Sequence, residues 1–225
     1  MRYSEYENRL SKPRMERYLK SVSGNKNKAL YLYRLNLKLS QEFFSLLSCL
    51  EVALRNSIDQ IYTNAFGNEW LRDSVSTTGF LSQPKCYESK EVVKSKIRKM
   101  KNYSHSALIT ELDFGFWRYL FSRPQYVAGG RKLMAVFPDY VSAQPHNMRP
   151  KEIFSLLKAP NLLRNRIAHH EPICFLPNQA VVATIEARSN YKLILDFYNW
   201  MGINEKLLLH GLDHITEICD NMDRL

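Results

Sequence analysis

A chain of 225 residues, 45% hydrophobic and 12% aromatic, can bury a substantial core, and its sign-mixed charges argue against wholesale disorder. Lys and Arg outnumber Asp and Glu by 32 to 22, a net charge of +10. That excess suits a polyanionic partner, nucleic acid or an anionic membrane, and equally a basic protein with no such partner. No apolar run approaches the roughly 18 residues of a membrane span, and the start, MRYSEYENRL, is charged and has no apolar signal segment. Cys49, Cys86, Cys174 and Cys219 are scattered, so the expectation is a soluble cytoplasmic protein whose thiols serve as small apolar residues.

In chain order, SKPRMERYLKSV predicts a helix with Ser11 as N-cap and Pro13 in its first turn. SGNKNK predicts a turn. Residues 29–67 follow with no Gly or Pro before Gly67, and Leu46, Leu47, Leu50, Val52, Leu54, Ile58 and Ile61 recur at helical spacing. The stretch is long for one helix, so two are expected, with a break near Leu39–Gln41 and an end at Gly67. Residues 72–88 read as loop, SKEVVKSKIRKMKNY as a short basic helix, and SALITELDFGFWRYLFS as helix broken at Phe114–Gly115. Residues 123–150 read as an irregular insertion. KEIFSLLKAPNLLRNRIAHH, NQAVVATIEARSNYKLILDFYNWMG and NEKLLLHGLDHITEICDNM return to the helical pattern. With no repeat, phosphate loop or alternating βα unit, the expectation is one all-α domain over 1–225, with an N-terminal helical arm at 1–27.

The stretch LLRNRIAHHEPI, residues 162–173, concentrates titratable chemistry in two turns. Asn165 and His169 are four apart and share a helical face; Arg166 and His170 share the next. Arg164 lies about 140° from His169 around the axis, within reach of its long side chain. Pro172 ends the helix near His170, so both histidines sit at a helix C-terminus. A histidine can serve as general base or acid. An arginine beside it can hold a phosphate and stabilise added negative charge. Asn165 can orient the imidazole or a phosphate oxygen. No acidic cluster accompanies them to hold a metal, and no cofactor motif is present. Together these are the parts for metal-independent RNA cleavage, in which the 2′-OH attacks the adjacent phosphate; DNA lacks that hydroxyl.

The R-x4-H spacing of Arg164 and His169 resembles the motif of HEPN domains. The longer LRNRIAHHEPI resembles the abortive-infection (Abi-like) branch, as do LEVALRNSI at 50–58 and ELDFGFWRYLF, in that order. The resemblance covers roughly residues 28–175. It implies a helical bundle with peripheral helices and endoribonuclease activity in anti-phage defence, often as a growth-arresting toxin. It also implies a homodimer whose two motifs converge on one composite site. On it, His169 is the proton carrier, Arg164 binds phosphate, Asn165 orients, and His170 and Glu171 tune or share proton transfer. The substrate would be RNA, with a non-coding RNA partner or an antitoxin as further partners. Pro160 inside the motif helix is expected to kink or restart it.

Three other groups have two readings each. Glu51 and Arg55, four apart, with Asn56 beside them, either support the site or form a polar network in the bundle. Lys94, Lys96, Arg98, Lys99 and Lys101 form either an RNA-tracking face, with Arg166 as a further contact, or a solvated one. Phe114, Trp117 and Phe121 stack bases or, as their spacing favours, form a core stripe. His210 and His214 are four apart but have no third ligand at a familiar spacing, so no metal site is expected. Two rivals to the nuclease remain: a non-catalytic RNA-binding or adaptor protein, and a domain whose motif serves nucleotide chemistry with a partner nucleotidyltransferase.

Overall fold

A computed structural model describes residues 2–140 in full, 141–143 in backbone, and 150–225. The fold is all-α. The described residues contain no sheet, only one isolated antiparallel bridge between Phe175 and Val182. In order, the helices are α1 (Tyr3–Leu10), α2 (Lys12–Ser21), α3 (Lys26–Phe66), α4 (Trp70–Asp73), α5 (Tyr87–Lys99), α6 (His105–Glu111) and α7 (Phe114–Tyr119). Then come α8 (Arg123–Ala128), α9 (Pro138–Ala143), α10 (Pro150–Leu156), α11 (Lys158–Ala168), α12 (Ile185–Trp200), α13 (Glu205–Leu208) and α14 (Ile215–Asp223). No helix among the described residues is long and apolar enough to cross a membrane.

The chain divides into two compact units. The first comprises residues 1–47, 162–195 and 206–225; the second comprises 48–161 and 196–205.

The expected break near Leu39 does not occur: α3 is one helix of 41 residues. Its buried positions Leu32, Leu35, Leu39, Phe43, Leu46, Leu50, Leu54, Ile58 and Tyr62 step by threes and fours without a fault, each at most 4% exposed. With no Gly or Pro inside that stripe, nothing interrupts the hydrogen-bond ladder. Asn25 starts it, its Oδ1 accepting the backbone N–H of Asn27 and Lys28 at 3.1 Å each. Gly67, at φ 96°, ends it as expected.

In the first unit, residues 1–27 carry α1 and α2 and are packed against the rest of the unit. Met15 and Tyr18 are fully buried, Tyr3 Oη donates to the Met15 carbonyl at 3.0 Å, and Tyr18 packs edge-on against Tyr33 and Phe175. Ser11 holds the N-cap position of α2 but its side chain makes no capping bond. The C-terminal stretch is also broken: Gly211, at φ 74°, lies between α13 and α14. His214 sits at the N-cap of α14, where its N–H and ring Nδ1 meet the Glu42 carboxylate at 3.1 and 3.3 Å. His210 and His214 therefore do not share a helix.

In the second unit the aromatic stripe is core: Phe114, Trp117 and Phe121 are each at most 1% exposed. The helix break falls two residues before the expected one. Asp113 caps α7, its Oδ1 accepting the Phe116 N–H at 2.9 Å, so Phe114 and Gly115 open the helix instead of interrupting it. Arg118 on α7 is buried. Its Nε donates to the Phe154 carbonyl at 2.9 Å and its guanidinium lies 4.0 Å from the Phe154 ring centre, so desolvation lowers its pKa. The expected irregular insertion is largely helical, forming α8, a 3₁₀ turn at Leu133–Val136, and α9; residues 144–149 lie outside the described residues. Prolines 124 and 138 open α8 and α9, the first-turn position where a missing N–H costs nothing.

Burial raises the Cys219 thiol to about 11 and that of Cys174 to about 12. Both stay protonated at neutral pH and act as packing groups.

Candidate functional site: the capped end of α11

The motif residues lie on the last two turns of α11 and the turn after it, in the first unit. Pro160 does restart the helix. Leu156 ends α10, Lys158 begins α11, and Pro160 falls in the first turn of α11, with its ring buried. Everything from Arg164 onward is therefore in unbroken register. Leu163 and Ile167 form the buried face, at 5% and 8% exposed. The opposite face carries Leu162, Asn165 and His169, all exposed, at i, i+3 and i+7. Arg164 is half-buried on the flank. The pairing of Asn165 with His169 on one face is thus as the spacing predicts, and that face is open to solvent.

The helix ends in a Schellman turn. The Glu171 N–H donates to the Arg166 carbonyl and the His170 N–H to the Ile167 carbonyl, both at 2.9 Å. This turn needs a left-handed residue, usually glycine. Here His170 fills it at φ 57°. A side chain in this conformation costs on the order of 1 kcal/mol. His170→Gly is expected to raise stability by about that amount in chemical denaturation.

Long-range side chains pin this turn. Arg14 Nη1 donates to the His170 carbonyl at 2.9 Å. Asn36, buried on α3, accepts the Ile173 N–H through Oδ1 at 2.9 Å. Arg17 donates to the carbonyls of Leu176 and Gln179 and lies 4.6 Å over the Phe175 ring. Arg166, expected as an RNA contact, is spent here as well. Its Nη2 donates to the Pro172 carbonyl at 2.8 Å, and it pairs with Glu171 at 3.6 Å and Glu186 at 3.4 Å. Glu171, expected to tune the histidines, therefore faces Arg166. None of these tethers carries a local sequence signature; Arg14, Arg17 and Asn36 lie more than 130 residues from their partners.

Glu51 and Arg55 are half-buried and Asn56 is exposed, on the part of α3 that belongs to the second unit. Arg55 Nε is buried and makes no hydrogen bond. On α5, Lys96 pairs with Glu111 at 3.1 Å and Arg98 with Glu91 at 3.9 Å. Lys94, half-buried, and the exposed Lys99 and Lys101 complete the basic face; Lys101 lies past the helix end.

A polar cluster that sequence reading missed lies in the second unit. Asp59 Oδ1 accepts Trp70 Nε1–H at 2.7 Å and meets His105 Nε2 at 2.8 Å; His105 Nδ1 lies 3.4 Å from Tyr103 Oη. Asp59 and His105 are 46 residues apart, which hid the pair. Among the described residues no group of three or more His, Cys, Asp or Glu side chains is placed to hold a metal ion.

The fold and this site define an all-α protein with a solvent-facing His–Asn pair and a flanking arginine at a pinned helix end. Comparison of the chain with protein-family models, with curated proteins and with solved structures finds no match in any of the three.

Proposed function

We propose that the chain is a metal-independent endoribonuclease of the HEPN type, acting as a homodimer in an anti-phage, toxin-like defence response. The observation that supports it most is the exposed face of α11, where His169 and Asn165 stand together beside Arg164 on a helix end fixed by remote tethers. Catalytic groups need such a rigid mount.

In the proposed reaction one imidazole takes the 2′-OH proton and the 2′ oxygen attacks phosphorus. The P–O5′ bond breaks, and a second histidine gives the leaving oxygen its proton. His169 serves as one of these carriers. His170, or His169 of a second copy, serves as the other. Arg164 holds the phosphate and offsets the charge gained on its oxygens. The products are a 2′,3′-cyclic phosphate and a 5′-hydroxyl. A second copy would dock on the same open face, which presents Leu162 at 51% exposure beside the polar pair. The abortive-infection role rests on the sequence resemblance alone.

Incubating the purified protein with unstructured RNA in EDTA tests the reading. Cleavage is expected to persist. Loss of cutting in EDTA and its recovery with divalent metal would contradict the mechanism. Intact RNA that stays bound by wild type would favour the non-catalytic RNA-binding protein.

A further inference from the structure

The second unit holds a groove of about 710 Å³ whose charged lining is entirely cationic: Lys85, Arg123 and Arg131. Pro84, Pro124 and Val127 supply its apolar lining, and no carboxylate contributes to it. Some other cations of this unit are paired with carboxylates. Arg72 pairs with Glu69 and Asp73, Lys96 with Glu111, and Arg98 with Glu91. Three exposed cations around one hollow with no acid among them repel one another, and an anion in the groove relieves that repulsion.

The backbone around the groove is built to hold them. Arg123 precedes Pro124 and Lys85 follows Pro84, so a fixed proline φ stands next to each. Arg131 is in the left-handed region at φ 59°, directly after Gly130 at φ 76°. Arginine rarely adopts that conformation. A closely knit turn enforces it: the Arg131 N–H donates to the Tyr126 carbonyl at 2.9 Å, and Tyr126 Oη donates back to the Arg131 carbonyl at 2.8 Å. The turn packs closely on its neighbour, since a methyl group on Gly129 would collide with Tyr62 Oη. Backbone strain held in place by surrounding contacts is found where position matters to function.

We propose that this groove binds the sugar–phosphate backbone of single-stranded nucleic acid. The two guanidiniums and the ammonium engage phosphates, and Val127 and the prolines lie against sugars and base faces. Guanidinium forks match phosphate oxygens in pairs. The apolar lining beside the cations suits the base and sugar faces that alternate with phosphates along a strand. The site reads charge and not the 2′-OH, so it takes RNA and single-stranded DNA alike. The proposal shares with the ribonuclease reading only its ligand, and does not depend on that ligand being cut.

The test uses the full chain carrying His169→Ala, to keep the probe intact, and a fluorescent oligouridine read by anisotropy across a salt series. Lys85→Gln, Arg123→Gln and Arg131→Gln together are expected to weaken binding about tenfold or more. The slope of log affinity on log salt should fall by about 2, for three lost phosphate contacts. A matched triple change of the exposed Arg9, Lys192 and Lys206 to Gln should stay within about twofold. Arg123→Gln alone, expected to weaken binding about threefold, serves if the triple variant melts early. Equal losses in the two triple variants, no loss in the groove variant, or displacement of the probe by millimolar AMP or by polyglutamate as readily as by unlabelled oligouridine would overturn the proposal. Failure of the ribonuclease reading shows separately, as wild-type protein that binds the strand through the groove and leaves it whole.

Discussion

His169→Ala is expected to cut RNA at least 100-fold more slowly than wild type, with an unchanged melting temperature. A positioned general base or acid contributes about 10²- to 10⁴-fold. Because His169 is exposed at the end of α11, its removal leaves no cavity. The backbone that carries it is held by groups the substitution does not touch: the His170 carbonyl by Arg14 and the Ile173 N–H by Asn36. Arg164→Ala should lose a comparable factor, about 10²- to 10³-fold, since a group that stabilises developing charge is worth that much. Asn165→Ala should lose less, because orienting a base is a smaller contribution than being one. Rates are read by single-turnover gel assay. Full activity in His169→Ala would move the chemistry off this helix.

Trp117→Ala is expected to cost about 3–5 kcal/mol of stability, enough to lower the melting temperature by roughly 10 °C or to prevent folding. Trp117 is fully buried on α7, packs edge-on against Phe116 at 5.1 Å, and its Nε1–H donates to the Leu112 carbonyl at 3.3 Å. Truncation loses the transfer free energy of the ring and leaves a void its neighbours fill only in part. Trp117→Phe should cost clearly less, since it keeps most of the apolar volume. Thermal unfolding by circular dichroism separates the two. Near-native stability in Trp117→Ala would mean that the stripe stacks on a ligand and is not core.

The motif on α11 was legible because it is local. Asn165 and His169 are one turn apart on one helix, so spacing alone assigns their face. The same logic gave the all-α class and the core stripe of α7. It does not reach contacts made beyond one helical turn: Arg166 binds the Pro172 carbonyl and pairs with Glu186, which helical spacing alone does not give. The continuity of α3 lies in the unbroken three-and-four stepping of its buried apolar positions, which its unusual length obscures. Residues 123–150 look irregular in sequence because Gly, Pro and Gln are frequent there, yet Pro124 and Pro138 fall in the first turns of helices. The Arg131 groove was invisible for a further reason. A left-handed arginine contradicts the residue preference, so only the folded chain reveals it.

In the proposed reaction a ribose hydroxyl attacks its adjacent phosphate under the control of the α11 histidine and arginine. The most direct measurement uses an oligodeoxynucleotide containing one ribonucleotide, with the wild-type protein in EDTA. A single cut is predicted, on the 3′ side of the ribose, leaving a 2′,3′-cyclic phosphate and a 5′-hydroxyl by mass spectrometry; the all-deoxy strand should stay whole. Scission of the all-deoxy strand, or a 5′-phosphate on the downstream fragment, would contradict it.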